Sequence, residues 1–303
     1  MSALILVTGG NGYLGRHVTA ALLQEGYDVR VTVRSAARAT GLDPRVEVVE
    51  ADLTRDEGWT AAVAGCRFVQ HVASPFPAVQ PHDPDEVIGP ARDGVLRVLR
   101  AARSAAVERV VLTSSFAAIG YPVRAGHRYS EADWTDPTPD LEPYVRSKAI
   151  AERAAWDLVD EGGPALVVLN PTGIFGPVLG ADIGTSAGIV QAMLAGRLRE
   201  APRVGFGIVD VRDVAAAHVQ ALTAPDAVGQ RFLLTAGPIT MLGIAHVLRA
   251  RLGDAASAVP TREAEGPDPV LPDMDTTRAR AVLGFDPRPV ADTIEDTARS
   301  LAL

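Results

Sequence analysis

The beginning of the chain passes from a short apolar segment directly into a glycine-rich turn. Residues Ala3 to Val7 are too few for the apolar part of a signal sequence, so we expect them to form a first strand. The next residues, Thr8-Gly9-Gly10-Asn11-Gly12-Tyr13-Leu14-Gly15, place three glycines in the pattern G-x-x-G-x-x-G before a helical pattern. Glycine suits a tight turn, close approach to a pyrophosphate, and packing of helix on strand. The segment Gly9, Asn11, Gly12, Tyr13, Leu14 and Gly15 is therefore predicted to bind a dinucleotide.

The same change from strand to helix recurs along the first 170 residues. The β-rich runs are Ala3 to Thr8, Val29 to Val33, Val46 to Glu50, Phe68 to Ala73, Val110 to Ser114 and Ala165 to Leu169. The helical patterns between them are Gly12 to Glu25, Asp56 to Ala64, Asp85 to Ala106 and Leu141 to Asp160. Such alternation predicts an α/β protein with a doubly wound parallel sheet, the Rossmann arrangement.

Beyond Pro171 the pattern becomes irregular and rich in glycine and proline. We therefore predict a dinucleotide-binding domain over residues 1–170 and a small substrate-binding cap over residues 171–303. About residues 204–235 of the cap are expected to return to the sheet. The four prolines between Pro260 and Asp273 indicate the most mobile loop.

Charge and rare residues exclude several classes of partner. The formal net charge of −8 and the lack of a basic run argue against nucleic acid and anionic membrane surfaces. No stretch is apolar for long enough to span a bilayer. The single cysteine, Cys66, excludes an internal disulfide and fits the cytoplasm. The six histidines lack paired ligand spacing, so no metal is expected.

Tyr144 and Lys148 stand four residues apart in the last of the helical patterns. The chain has 29 lysine and arginine residues in total, and Lys148 is the only lysine among them. The spacing places both side chains on one helix face. An ammonium beside a phenol favours the phenolate and lowers a tyrosine pKa from about 10. We therefore expect Tyr144 to be a general acid and Lys148 to retain donors for a sugar hydroxyl.

The second strand indicates which nicotinamide cofactor is used. An acidic residue at its end would bind the ribose hydroxyls of NAD, whereas this strand ends in Arg34. Arginine accommodates a 2′-phosphate, so the predicted cofactor is NADP(H), with Arg38 as a second phosphate partner. Asp52 and Leu53, after the third strand, are expected beside the adenine.

Together with Ser114-Ser115 after the fifth strand, these motifs make the sequence resemble the extended short-chain dehydrogenase/reductases over nearly its whole length. Within them it is similar to the branch of dihydroflavonol reductases, cinnamoyl-CoA reductases and microbial aldehyde or ketone reductases. The segments that carry the resemblance are Val29-Arg30-Val31-Thr32-Val33-Arg34, His71-Val72-Ala73-Ser74-Pro75, Val111-Leu112-Thr113-Ser114-Ser115 and Leu169-Asn170-Pro171-Thr172-Gly173-Ile174-Phe175-Gly176-Pro177.

The resemblance implies a role for each matched residue. Tyr144 is the proton donor, Lys148 adjusts its pKa and binds ribose, and Ser115 donates to the carbonyl oxygen. Two donors aimed at that oxygen lower the barrier, because negative charge develops there when hydride arrives. Ser114 is implied to be structural. The resemblance also implies further contacts with the cofactor, made by Val72, Ala73, Ser74, Thr113, Pro171 and Ile174.

These inferences predict an NADPH-dependent reductase of apolar aldehydes or ketones, which is a monomer or a homodimer. The predicted pocket walls are Pro75, Phe76, Phe116, Ile119, Tyr121, Phe175, Val178 and Phe206. A nucleotide-sugar epimerase or dehydratase is the alternative enzyme. It is disfavoured because Phe206 stands where such enzymes place a diphosphate-binding arginine, and because Phe116, not an acid, follows Ser115. A regulator that senses NADPH is the alternative outside enzymes, but it would not need Ser115, Tyr144 and Lys148.

Compared with this branch, the chain is short between the last strand of the cap and the terminal helix. Only residues 260–273 occupy that place. The sequence therefore leaves open how the substrate pocket is closed.

Overall fold

The computed structural model describes residues 2–75 and 83–301, so the predicted pocket residue Phe76 lies outside the described part. The strands are β1 (Leu4–Thr8), β2 (Asp28–Val33), β3 (Glu47–Glu50), β4 (Phe68–His71), β5 (Arg109–Thr113), β6 (Arg128–Tyr129), β7 (Ala165–Pro171), β8 (Gly173–Phe175), β9 (Gly205–Asp210), β10 (Arg231–Leu234), β11 (Gly237–Thr240) and β12 (Asp273–Met274). The α-helices are α1 (Tyr13–Gln24), α2 (Trp59–Val63), α3 (Asp85–Ser104), α4 (Pro143–Asp160), α5 (Gly184–Leu194), α6 (Val211–Thr223), α7 (Met241–Leu252), α8 (Thr277–Leu283) and α9 (Val290–Leu301).

Seven parallel strands form the main sheet in the order β10-β7-β5-β4-β1-β2-β3. The predicted fold class is confirmed. From β1 the chain first adds β2 and β3 on one side of the sheet, and it then adds β4, β5, β7 and β10 on the other side. The two directions part between β1 and β4, which is where ligands bind in open α/β sheets, at the carboxyl ends of the strands. The glycine turn after β1 and the residues after β4 lie at this point.

Strand β1 shows why the sheet is covered on both faces. Ile5 and Val7 belong to the core shared with α1 and α6, whereas Leu6 belongs to the core shared with α2, α3 and α4. Side chains alternate between the two faces of a strand, so an uninterrupted apolar run needs helices on both. The edge strand β3 has the sequence EVVE and is mostly exposed.

Two helix boundaries depart from the sequence prediction for identifiable reasons. Helix α4 begins at Pro143, whose missing N–H costs nothing in a first turn, and this places Tyr144 in that turn. Helix α2 is shorter than the predicted Asp56 to Ala64. It begins after Gly58, which has φ of +88° and where a Cβ would lie 2.2 Å from the carbonyl oxygen of Glu50.

The C-terminal part contains a second sheet, in the order β11-β9-β8, with α5, α7 and α9 around its core. Within the segment 204–235, only β10 joins the main sheet, beside β7, while β9 lies in the second sheet. The division into two domains stays a prediction. None of the described helices is both long and apolar enough to cross a bilayer.

Residues 260–273, predicted as the most mobile loop, contact the segment 201–203 at several positions. The backbone of Ala201 bonds Arg262 and Ala264 at 2.9 Å each, and Arg203 forms ion pairs with Glu263 and Asp268. Strand β12 follows directly and pairs with β6. Backbone pairing with residue 201 was invisible in the sequence because it joins segments about sixty residues apart.

Two buried histidines use their neutral rings inside the fold. Gln70 donates to the carbonyl oxygen of His218 at 2.8 Å, so its own side-chain oxygen accepts from Nδ1 of His218 at 2.6 Å. Nε2 of His218 then accepts from Thr113 at 2.9 Å, and His71 Nδ1 bonds Thr8 at 2.8 Å. Burial lowers the pKa of both His71 and His218 to about 3, and the charge of Lys148 adds to the effect at His71.

We expect acid to destabilise the protein below pH 6.5. In the unfolded chain His71 and His218 bind protons at such pH values, whereas in the folded protein their lowered pKa keeps them neutral. The contribution is fully present above the unfolded pKa of 6.5 and is lost as pH falls towards 3. Between pH 7.5 and 5.5 the free energy of unfolding should fall by about 2 to 3 kcal/mol. Urea unfolding at both pH values measures this, and equal free energies would contradict it.

Candidate functional site

The glycine turn after β1 has the shape of an anion cradle. Gly9 has φ of +67°, and a Cβ at Gly15 would lie 2.2 Å from the carbonyl oxygen of Gly9. Helix α1 follows, and at its N-cap, Gly12, no side-chain hydrogen bond is present within the described structure. The first-turn N–H groups and the positive helix end therefore suit the pyrophosphate of a dinucleotide. A Cβ at Gly12 would lie 3.6 Å from Asp182 Oδ2, so this exposed carboxylate lies beside the turn.

Arg16 organises the surroundings of this turn and was missed by the sequence reasoning. Its guanidinium donates to the carbonyl oxygens of Asn11, Thr40 and Gly41 at 3.1, 2.7 and 2.5 Å. It therefore joins the glycine turn to the loop after β2. The available signal was a cation in the first turn of a helix, where the helix dipole disfavours positive charge unless it has such acceptors.

The residues after β2 and β3 form the predicted adenosine end. Arg34 is exposed directly after β2, and Arg38 falls in the short turn Ala36–Arg38. Asp52 accepts hydrogen bonds from the N–H and hydroxyl of Thr54, which lower its pKa, with smaller effects of Arg55 and Arg34. Glu50, which sequence reasoning did not single out, accepts from the N–H of Ala36 at 2.5 Å. The sequence could have indicated it, because an acidic residue stands at the end of a predicted strand.

The segment after β4 runs along the glycine turn. Ala73 donates its N–H to the Thr8 hydroxyl at 2.9 Å, and a Cβ at Gly9 would lie 3.1 Å from the Ala73 Cβ. Ser74 accepts a hydrogen bond from Lys148 Nζ at 3.0 Å, which links this segment to α4. Val72 is partly buried and packs against the core that β1 shares with α1 and α6. The structure thus brings the predicted ribose segment together with Lys148.

The other predicted cofactor contacts are more widely placed. Leu53 packs against Gly94 of α3, where a Cβ would lie 3.0 Å from the Leu53 Cβ. Thr113 bonds His218 on the far side of the sheet, Pro171 ends β7, and Ile174 is partly buried in β8. Their contacts with a cofactor stay predictions.

Ser115, Tyr144 and Lys148 come together where α4 passes the end of β5. Ser115 is the N-cap of the turn Phe116–Ala118, and its Oγ accepts from the N–H of Ala117 at 3.1 Å. Its hydroxyl also hydrogen-bonds the phenol of Tyr144. Lys148 Nζ lies 5.8 Å from the centre of the Tyr144 ring. A carbonyl oxygen near this phenol could therefore meet two hydroxyl donors and one cation.

Burial, and not Lys148, has the largest effect on the phenol. It raises the pKa of Tyr144 to about 12, while the hydrogen bond from Ser115 lowers it only in part. The sequence expectation that Tyr144 has a lowered pKa is therefore wrong for this structure, because spacing reveals a neighbour but not desolvation. The phenol keeps its proton at neutral pH. Burial also lowers the pKa of Lys148 to about 8, against the opposing attraction of Glu152.

The predicted pocket residues divide into two groups. Phe116, Ile119 and Phe175 are 4%, 1% and 0% exposed and pack inside core clusters. Phe206 is partly buried and stacks on Phe175 with ring centres 6.1 Å apart. Tyr121 lies 5.7 Å from the Phe116 ring and close enough to Tyr144 to affect its pKa. The other two predicted pocket residues in the described part of the chain, Pro75 and Val178, are partly buried. These pocket assignments stay predictions.

Comparison with known proteins places the whole chain in one family. Residues 5–234 match the NAD dependent epimerase/dehydratase family. A ketoreductase from Aspergillus niger, azaE, is 33% identical over 331 residues, which cover 98% of this chain and 97% of that protein. The cinnamoyl-CoA reductase CAD2 of Medicago truncatula is 31% identical over 315 residues, covering 98% and 95%. The structure of yeast methylglyoxal/isovaleraldehyde reductase Gre2 complexed with NADPH superposes with a TM-score of 0.87, at 27% identity over 98% of both chains.

Proposed function

We propose that this chain, which belongs to the NAD dependent epimerase/dehydratase family, is an NADPH-dependent reductase of apolar aldehydes or ketones. The observation that carries the proposal is the meeting of Ser115, Tyr144 and Lys148 beside the glycine turn. Relatives named as a ketoreductase and a cinnamoyl-CoA reductase support it, as does the NADPH complex of the similar yeast reductase.

The chain's own residues would divide the work as follows. The glycine turn would hold the pyrophosphate, Arg34 would bind the 2′-phosphate, and Lys148 with Ser74 would bind the ribose of the nicotinamide half. NADPH, when bound, would supply the hydride. Tyr144 donates its phenolic proton to the carbonyl oxygen, and Ser115 donates a hydrogen bond to the same atom. The charge of Lys148 stabilises the tyrosinate that remains.

The proposed reaction is tested by measuring NADPH oxidation with a panel of aldehydes, diketones, ketoesters and aryl ketones, beside calorimetry with UDP-glucose. We expect the affinity for the substrate to rise with its apolar area, by about 25 cal/mol of binding free energy per Å² buried. Phe206 offers no cation to a diphosphate, so UDP-glucose should not bind. Micromolar binding of UDP-glucose together with inactivity on every carbonyl would favour the epimerase alternative.

Replacing Arg34 by aspartate should abolish or reverse a preference for NADPH. A charge-assisted contact with the 2′-phosphate contributes about 1.5 to 3 kcal/mol, or about one to two decades of affinity. The ratio of kcat/KM for NADPH and NADH measures the effect. Arg103→Asp, which makes the same charge change at the exposed end of α3, is the control and should keep the native ratio. A native enzyme that uses both cofactors equally would contradict the role of Arg34.

The location and assembly of the protein remain parts of the proposal. The buried thiol Cys66 fits a reducing cytoplasm, and the chain is proposed to act as a monomer or homodimer. Intact Ser115, Tyr144 and Lys148 favour catalysis over the sensing of NADPH without turnover.

A further inference from the structure

Glu152 is a fully enclosed carboxylate on the helix that carries Tyr144 and Lys148. Its side chain is 0% exposed and lies one turn after Lys148 on α4. It accepts hydrogen bonds from Ser114 Oγ at 2.5 Å, Asn170 Nδ2 at 2.7 Å and Arg231 Nε at 2.5 Å. These donors come from the ends of β5 and β7 and from β10. One carboxylate therefore fixes the helix to three strands.

The same bonds reach the backbone of Ser115. Ser114 directly precedes it in the chain, and Asn170 Nδ2 also donates to the carbonyl oxygen of Ser115 at 3.2 Å. Asn170 in turn precedes Pro171, the last residue of β7. The position of the Ser115 hydroxyl relative to α4 thus depends on the contacts of Glu152 with Ser114 and Asn170.

Arg231, the partner of Glu152, holds the chain segment that contains the predicted pocket residue Tyr121. Its side chain is 7% exposed, and its Nη1 donates to the carbonyl oxygens of Glu131 and Asp133 at 2.9 and 2.8 Å. Its guanidinium carbon lies 3.7 Å from the centre of the Trp134 ring. Its Nη2 also donates to the carbonyl oxygen of Ala118 at 3.5 Å, so it holds both ends of the segment 118–135, which includes Tyr121. Neither Arg231 nor Glu152 is among the residues that meet at the phenol of Tyr144.

We infer that the buried pair Glu152 and Arg231 is a positioning device, which aligns Ser115 and Lys148 with Tyr144 and couples them to the segment 118–135. The inference rests on the proposed reductase function. Removing the Glu152 charge by Glu152→Gln should lower kcat by about 10- to 100-fold, since small displacements of reacting groups cost this much. Affinity for NADPH, measured by fluorescence titration, should change by less than about twofold, because the cofactor's phosphate contacts lie elsewhere.

The pH profile separates positioning from simple loss of structure. The charged and titratable groups around Lys148 and the pair are Tyr144 and Arg153 on α4, His71 on β4, Glu131 in the segment 118–135, and Arg278 on α8. Glu152 raises the pKa of Lys148, so Glu152→Gln should move the alkaline loss of activity to lower pH. Arg231→Gln leaves the Glu152 carboxylate without its cation, so the loss of activity at alkaline pH should move to higher pH. His71 stays neutral throughout this range.

Two further variants keep the test decisive. Ser114→Ala removes one donor to Glu152 and should lower kcat several-fold even where Arg231→Gln does not fold. Asp213→Asn is the matched control, because Asp213 is a buried carboxylate on α6 that pairs with Arg288 outside the candidate site. It should lower the thermal stability while keeping the native kcat and pH profile.

The result that supports the inference is a fall in kcat for Glu152→Gln and Ser114→Ala with unchanged NADPH affinity and a shifted alkaline limb for Glu152→Gln. The inference is overturned if Glu152→Gln keeps the native kcat, if its alkaline limb does not move, or if Asp213→Asn lowers kcat equally. A native protein that reduces no carbonyl would instead refute the proposed function, so the two failures are distinguishable.

Discussion

Replacing Tyr144 by phenylalanine is expected to lower kcat for carbonyl reduction by about 10²- to 10⁴-fold, the usual contribution of a general acid. The substitution removes the phenolic proton and little else, because Tyr144 remains in the first turn of α4 with its ring in place. Burial raises the pKa of Tyr144 to about 12, so the native phenol holds that proton across the working range of pH. Steady-state kinetics with NADPH and an aldehyde measure the fall.

Affinity for NADPH should survive in the Tyr144→Phe variant, which fluorescence titration checks. Tyr27→Phe deletes the same atom between α1 and β2, outside the candidate site, and should behave as the native protein. Near-native turnover by Tyr144→Phe would refute the assignment of the proton donor. A joint loss of turnover and of NADPH binding would instead indicate damage to the cofactor site.

Ser115→Ala should lower kcat by about 10²- to 10³-fold, the typical effect of removing one donor to an oxygen that gains charge. In the structure the Ser115 hydroxyl hydrogen-bonds the phenol of Tyr144, so its loss also leaves Tyr144 less well oriented. Ser147→Ala on α4 is the control, because that hydroxyl donates within its own helix to the carbonyl oxygen of Tyr144 at 2.7 Å. If both variants lose activity equally, Ser115 has no particular role at the carbonyl oxygen.

The fold was predictable because its main sheet is covered on both faces. Strands such as β1 then consist of continuous apolar residues, and the glycines at positions 9 and 15 mark the turn that follows. Local rules of this kind need no knowledge of the partner strand. They were less informative for the segment 204–235, because β9 and β10 are both short apolar strands yet belong to different sheets.

The candidate site was predictable in its residues but not in its electrostatics. The spacing of Tyr144 and Lys148 indicates that they share a helix face, yet the pKa of each depends on what packs around them. Glu152 is separated from Arg231 by 79 positions, and only the sheet order brings β10 beside β7. The sequence contained a signal for Glu152, an acid one turn after Lys148 on the same face, but nothing that named its partner.

The most direct test of the proposed reduction follows the hydrogen that is transferred. NADPH that carries deuterium at the transferable position of the nicotinamide ring, prepared in both stereochemical forms, is incubated with the native protein and a reactive aldehyde or ketone, and the alcohol is analysed by mass spectrometry. The proposed function predicts one deuterium on the former carbonyl carbon from one of the two forms, and formation of that alcohol about 10²- to 10⁴-fold more slowly when Tyr144→Phe replaces the native protein. An alcohol without deuterium from either form, or no alcohol from any carbonyl, would contradict it.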